Sequence, residues 1–179
     1  MRLFIGIPLE KKLINEIYSL YKKFKNLKNI KFVKKENLHI TLKFLGEVEE
    51  EKITLIKNAI DNSILNFEKF FISTNKISGF PEEKRAKVIW FNVDKNSEKI
   101  EILFNNLETQ LEKIGFKKEE KRFVSHITIA RNKEVANIEF VVKNFNFEFK
   151  SEVLSMALFQ SVLTPSGPVY TKIYEKFLI

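Results

Sequence analysis

The strongest constraint on the fold is one word used twice. His39-Ile40-Thr41 and His126-Ile127-Thr128 contain the chain's only two histidines, in the apolar, β-branched stretches Leu38 to Phe44 and Val124 to Ala130. Such runs read as strands. Strand side chains alternate faces, so each His shares a face with the Thr two residues on. The alternation sends Ile40, Leu42 and Phe44 toward a core, as it does Ile127 and Ile129. Each copy then presents one imidazole and one hydroxyl together on a polar face. By the same parity Lys43 joins His39 as a weaker phosphate-binding candidate. Arg131 is out of phase with His126, and reaches its face only if the strand ends or twists near Ala130.

The spacing extends beyond the motif. Adding 87 takes His39 to His126, Thr41 to Thr128 and Phe4 to Phe91. The same shift takes Leu13, Ile17, Leu20, Phe24 and Leu27 to Ile100, Phe104, Leu107, Leu111 and Ile114. One offset aligning a strand, a helix face and a motif marks an internal duplication. Residues 1–179 are accordingly read as one two-lobed domain. Lobes related by a pseudo-two-fold axis would bring the two His faces together across a cleft, making one active site from two half-sites.

The remaining elements follow from periodicity and turn residues. Strands are expected at 2–9, 30–33, 67–77, 88–93, 145–149, 156–163 and 169–178, besides the two His strands. Helices are expected at 10–26, 49–65 and 135–144. Another, capped by Asn96 or Ser97, ends at Gly115. A polar break is expected at 26–29, turns at 36–37, 78–81 and 164–168, and charged loops at 82–85 and 117–122.

Composition narrows the chemistry. The chain has no cysteine, which removes disulfides, thiolate nucleophiles and cysteine metal sites. With no third His either, a zinc site lacks ligands, and no metal or other cofactor is expected. There is no G-x-x-x-x-G-K or G-x-G-x-x-G loop, so ATP dependence is not indicated. No run approaches the roughly 20 apolar residues of a membrane span. The N-terminal stretch lacks a signal-peptide cleavage pattern. A cytoplasmic location without a membrane partner is expected. The net charge of +8 favours a polyanionic partner such as RNA. Part of that charge is compositional, because Lys outnumbers Arg by 27 to 4.

Imidazole titrates near neutrality, so one ring can accept a proton while its partner donates one. Two opposed imidazoles suit in-line displacement at phosphorus. Thr41 and Thr128 are placed to donate to non-bridging phosphate oxygens, and Arg131 to add a bidentate cationic contact.

These residues resemble those of the RNA 2′,3′-cyclic phosphodiesterases, also called 2′-5′ RNA ligases, of the two-histidine phosphoesterase superfamily. The likeness runs from Arg2-Leu3-Phe4-Ile5-Gly6-Ile7 through Glu36 to Val48 and Phe123 to Arg131. It ends in the tail Ser161-Val162-Leu163 and Gly167-Pro168-Val169-Tyr170. It implies an α+β fold, bilobal, with two antiparallel sheets forming a V-shaped cleft and helices outside. It implies metal-independent hydrolysis of RNA 2′,3′-cyclic phosphate ends to 2′-phosphomonoesters and, in some members, reversible ATP-independent 2′-5′ ligation of tRNA halves. By motif position His39 matches the proton donor and His126 the proton acceptor. Thr41 and Thr128 match the phosphate-contacting residues, and Arg131 a family arginine near the phosphate. The expected assembly is a monomer. The family commonly has Pro before the second His, where this chain has Ser125.

Two other readings stay open on sequence. One is a non-catalytic RNA-end or nucleotide-binding module using the same cleft. The other is a phosphodiesterase for 2′,5′-oligoadenylates or small cyclic nucleotides.

Overall fold

The structure is a computed structural model that describes residues 1–24, 27 and 29–179. Its elements, in order, are β1 (Arg2–Pro8), α1 (Lys11–Leu20), β2 (His39–Glu47), α2 (Ile53–Ser63), β3 (Phe70–Thr74) and β4 (Lys76–Phe80). Then come β5 (Ala86–Asn92), α3 (Ser97–Lys113), β6 (His126–Ala136), α4 (Glu139–Asn144), β7 (Phe149–Val153), β8 (Ser155–Thr164) and β9 (Gly167–Phe177). Short 3₁₀ turns stand at Tyr21–Phe24, Lys35–Asn37, Glu50–Lys52 and Glu83–Arg85.

Seven strands form one sheet in the order β4-β5-β6-β2-β1-β8-β9, and β3 pairs with β7 in a second, two-stranded sheet. All pairings are antiparallel. The large sheet has two wings, β1, β2, β8 and β9 on one side and β4, β5 and β6 on the other. They are joined at β2 and β6, whose one registered pair is Ile40↔Ile127. The expected α+β fold is the observed one, and the two antiparallel sheets expected to form the cleft are here the two wings of one seven-stranded sheet.

The helices cover the face that carries Ile40, Leu42, Ile127 and Ile129. These four share one buried cluster with Leu13 and Ile17 of α1, Ile56 and Ile60 of α2, and Ile100, Leu103 and Leu107 of α3. Burial of this apolar stripe is what holds the helices to the sheet. The His and Thr side chains are therefore on the opposite, helix-free face.

Both His strands carry a β-bulge at equivalent residues. Against β1 the register runs Ile5↔Lys43 and then Gly6↔Thr41, so Leu42 is the extra residue. Against β5 it runs Ile89↔Ala130 and then Trp90↔Thr128, so Ile129 is the extra residue. A bulge puts two successive residues on one side and reverses parity beyond it. Leu42 and Lys43 are both buried, as are Ile129 and Ala130, while Phe44 and Arg131 turn outward. Phe44, expected in the core, is thus 58% exposed.

Other differences have local causes. The expected strand 67–77 splits at Asn75, whose N–H donates to Asp94 Oδ2 at 2.9 Å while Asp94 N–H donates to Ser73 O. The chain there leaves the small sheet for the large one, and residues 78–80, expected as a turn, belong to β4. β6 keeps its pairing with β5 as far as Ala86↔Ala136, which confines the following helix to α4. Phe145 and Phe147 are not strand; Phe145 packs its ring 5.3 Å from that of Phe91. Residues 31–33 make an isolated bridge to β6, with Val33 N–H donating to Ile129 O and Arg131 N–H to Lys31 O. The end of the first expected helix and part of the polar break, residues 25, 26 and 28, lie outside the described residues. Among the described residues no helix is long and apolar enough to cross a membrane.

Candidate active site

The two imidazoles are held by the same device. His39 Nδ1–H donates to Asn37 O at 2.7 Å, and His126 Nδ1–H donates to Val124 O at 2.7 Å. In each case the acceptor is the carbonyl two residues back, so both neutral rings are the Nδ1–H tautomer and turn Nε2 away from the backbone. Thr41 Oγ1 lies 2.8 Å from His39 Nε2 and donates to it when the ring is neutral. Among the described residues His126 Nε2 has no hydrogen-bond partner.

The register at Ile40↔Ile127 sets His39 beside Thr128 and Thr41 beside His126. In a regular ladder His39 and His126 are then diagonal neighbours, with Cα atoms roughly 7–8 Å apart.

A cavity of about 410 Å³ opens on this face. His39, Thr41, Thr128 and Arg131 line it, together with Phe44, Tyr170 and the segment 31–34. His126 is not on its wall; its ring sits 5.4 Å from the indole of Trp90. His39 is packed among Phe4 at 4.8 Å, Tyr170 at 5.4 Å and Phe159 at 5.9 Å. Sequence reading did not pick out Trp90, Phe159 or Tyr170 for the site, because ring packing across strands distant in the chain leaves no local signature.

Burial dominates the electrostatics. It lowers the His39 pKa from the usual 6.5 to about 4, against the opposing carbonyl of Asn37 and with help from the charges of Arg131 and His126. Burial also lowers His126, opposed by the Val124 carbonyl and aided by Arg131. Both rings are therefore neutral at pH 7 in the free protein. An incoming anion would offset Arg131 and favour protonation of one of them.

Arg131 reaches the cavity because of the bulge at Ile129, which supplies the change of parity the sequence required. Lys43 is corrected by the equivalent bulge. It points to the core, 4% exposed, where its Nζ lies 2.8 Å from Glu108 Oε1 and donates to Lys117 O at 2.7 Å. It is no phosphate ligand. Ser125 is buried, and its carbonyl accepts from Val93 N–H at 3.2 Å. The serine leaves the ring of His126 anchored as His39 is. Among the described residues no group of three or more His, Cys, Asp or Glu side chains could hold a metal ion.

Comparison with known proteins agrees with this architecture. The model of the LigT-like phosphoesterases matches the chain twice, over residues 7–90 and 93–170. The chain is 36% identical to the RNA 2′,3′-cyclic phosphodiesterase of Archaeoglobus fulgidus over 95% of its own length and 96% of the relative's. It is 39% identical to the enzyme of that name from Methanocaldococcus jannaschii, over 98% and 99% of the two chains. Among solved structures, a Thermus thermophilus protein superposes with a TM-score of 0.83 at 25% identity, over 99% of this chain and 98% of that one. E. coli LigT complexed with 3′-AMP has the same fold, with a TM-score of 0.77 at 22% identity over 99% and 97%. The chain belongs to the LigT-like phosphoesterase family. It is an enzyme of the phosphoesterase class.

Proposed function

We propose that the protein hydrolyses the 2′,3′-cyclic phosphodiester ends of RNA to 2′-phosphomonoesters, without a metal ion, using His126 as general base and His39 as general acid. The observation that carries this reading is the matched pair of imidazoles, each locked as the same tautomer, on either side of the Ile40↔Ile127 junction. Relatives named RNA 2′,3′-cyclic phosphodiesterase, alike over nearly the full length, support the substrate class.

In the reaction Nε2 of His126 takes a proton from water as its oxygen attacks phosphorus. The P–O3′ bond breaks in line with that attack, and His39, protonated at Nε2, delivers its proton to O3′. Water and the cyclic ester become a 2′-phosphate and a 3′-hydroxyl. Thr41 and Thr128 donate to the non-bridging oxygens, and Arg131 balances the charge that builds there. If a 5′-hydroxyl replaces water, the same proton transfers give a 2′-5′ linkage. The strained ring supplies the driving force, so ATP is not needed. tRNA halves are substrates of suitable chemistry for that direction. Because the two lobes each supply one His and one Thr, residues 1–179 act as one catalytic domain and a monomer suffices.

The test is an RNA oligomer with a 2′,3′-cyclic phosphate end, incubated with the protein in excess EDTA. A 2′-phosphate product is expected, and His39→Ala or His126→Ala should abolish its formation while the fold survives. A 3′-phosphate product would reverse the assigned leaving group. Binding without turnover would make the protein an RNA-end binding module instead.

A further inference from the structure

A second groove, of about 690 Å³, adjoins the His39 cavity. The two share Phe32, Val33 and Lys34 in their linings, so they border one another along this segment. Beyond the shared wall the groove is lined by Tyr18, Tyr21, Lys22, Lys35 and Glu36. The site described above uses none of these five residues.

The lining is that of a single-strand nucleic-acid path rather than of an apolar docking face. Three lysines face one glutamate along it. Among the described residues none of the three is paired with a carboxylate. Tyr18 is 51% exposed, its ring 5.5 Å from that of Tyr21, and Lys35 Nζ stands 5.9 Å from its centroid. Tyr21 is itself stacked on Phe32, with centroids 4.2 Å apart and planes 19° from parallel. A half-exposed aromatic face on a stacked, rigid base, flanked by ammonium groups, is what an unpaired base and its phosphate require.

Strand polarity then fixes the occupant. A 2′,3′-cyclic phosphate closes the 3′ end of an RNA, so the rest of the strand lies on its 5′ side. With the reacting phosphate between the His strands, the strand leaves that cavity past one of its walls, and the wall at residues 32–34 is the one that borders this basic, aromatic groove. Resting on the function proposed above, we propose that the Tyr18 groove is a subsite for the nucleotide on the 5′ side of the reacting end, its base against Tyr18 and its phosphate near Lys22 and Lys35. The true substrate is then an RNA strand rather than a cyclic mononucleotide.

The experiment compares uridine 2′,3′-cyclic phosphate with a 5′-fluorescein RNA tetranucleotide ending in the same group. Both are tested with the wild type and with Tyr18→Ala, Lys22→Ala and Lys35→Ala. Turnover is read for both substrates, and anisotropy reports binding of the tetranucleotide. The wild type is expected to favour the tetranucleotide in kcat/KM by about tenfold or more, a gain that falls as salt rises. Tyr18→Ala should remove most of that preference and leave mononucleotide turnover unchanged. Equal use of both substrates by the wild type, or a preference that survives all three changes, overturns the subsite and leaves the groove to another occupant. If neither substrate is turned over, the proposed function fails. The groove is then judged by anisotropy alone, where tetranucleotide binding unaffected by Tyr18→Ala overturns it and binding weakened by about tenfold supports it.

Discussion

Ile40 and Ile127 are Cα partners across the junction of the two wings, and each is the residue the other becomes under the 87-residue shift. Both are fully buried. An antiparallel pair centred on equivalent residues has a local two-fold axis through its middle. His39 and His126 are therefore related by that axis, as are Thr41 and Thr128. The symmetry ends one bulge further on, where Phe44 occupies the place that Arg131 holds in the other half. A phosphate at the axis thus has one cationic side and one aromatic side.

The placement of Arg131 has a spectroscopic consequence. Its charge lowers the pKa of both imidazoles, so Arg131→Gln should raise both. The chain has only two histidines, and two ring signals in a proton NMR titration report them. With Arg131 in the phosphate-balancing role proposed above, the change should also lower kcat by about 10²-fold. Unmoved titrations would place the guanidinium away from the site.

The depressed imidazoles also predict a difference between two pH profiles. The general acid must be protonated, so activity falls as pH rises through its pKa. In the free protein that pKa lies below the ordinary 6.5, with His39 at about 4. The alkaline limb of kcat/KM, which reports the free enzyme, should therefore lie on the acid side of neutrality. Bound phosphate offsets Arg131 and favours imidazolium, so the alkaline limb of kcat should lie higher. Coinciding limbs would remove this electrostatic role of the substrate.

Stability should depend on pH through the same ring. Between pH 6.5 and about 4 the unfolded chain binds a proton at His39 that the folded chain does not. Stability from this source is present in full above pH 6.5 and is lost as pH falls toward 4, by up to about 3 kcal/mol. His39→Gln removes the linkage. Urea unfolding at pH 7 and pH 4 should show the variant gaining on the wild type by up to that amount. A constant gap would mean that the ring is protonated in the folded state at an ordinary pH.

The approach of β1 to β2 depends on Gly6, which pairs with Thr41 next to the bulge. A Cβ at this position would lie 2.6 Å from Ile40 O and 3.2 Å from His39 Cδ2. The first neighbour is backbone and cannot swing aside. Gly6→Ala should therefore shift β2, cost about 1–3 kcal/mol and impair turnover through His39. A variant of unchanged melting temperature and activity would show that the strands separate freely.

The two H-x-T words were legible because residue type, local pattern and a single offset agreed on them. The central core was legible for the same reason, since helix and strand periodicities both marked it. The bulges were not. An extra residue such as Leu42 or Ile129 is as apolar and strand-prone as its neighbours, and only the partner strand reveals that it is unpaired. The one trace was Arg131, whose phase was wrong for a residue of the site. The exchange of sheets at Asn75 was equally hidden, because it is set by Asp94 from beyond a strand. So was the aromatic packing of His39, which gathers Phe4, Phe159 and Tyr170 from three strands.

Lys43 offers the sharpest separation of a structural from a substrate-binding role. Glu108, 5% exposed, holds it from α3, and Glu108 Oε2 accepts Glu119 N–H at 2.6 Å, tying in the loop that leads to β6. Lys43→Met leaves a buried carboxylate without its counter-charge, and Glu108→Leu leaves a buried ammonium whose remaining counter-charge is the half-exposed Glu119, 3.5 Å away. The first should cost about 3–5 kcal/mol and the second less, because Glu119 still faces the ammonium. The double change strands neither charge, so its cost should be smaller than the sum of the two, a coupling that a double-mutant cycle in urea measures. The double variant should also keep the wild-type KM for an RNA cyclic phosphate end, because Lys43 points away from the cavity. Additive costs together with a raised KM would return Lys43 to the phosphate, and with it the parity that the bulge at Leu42 has reversed.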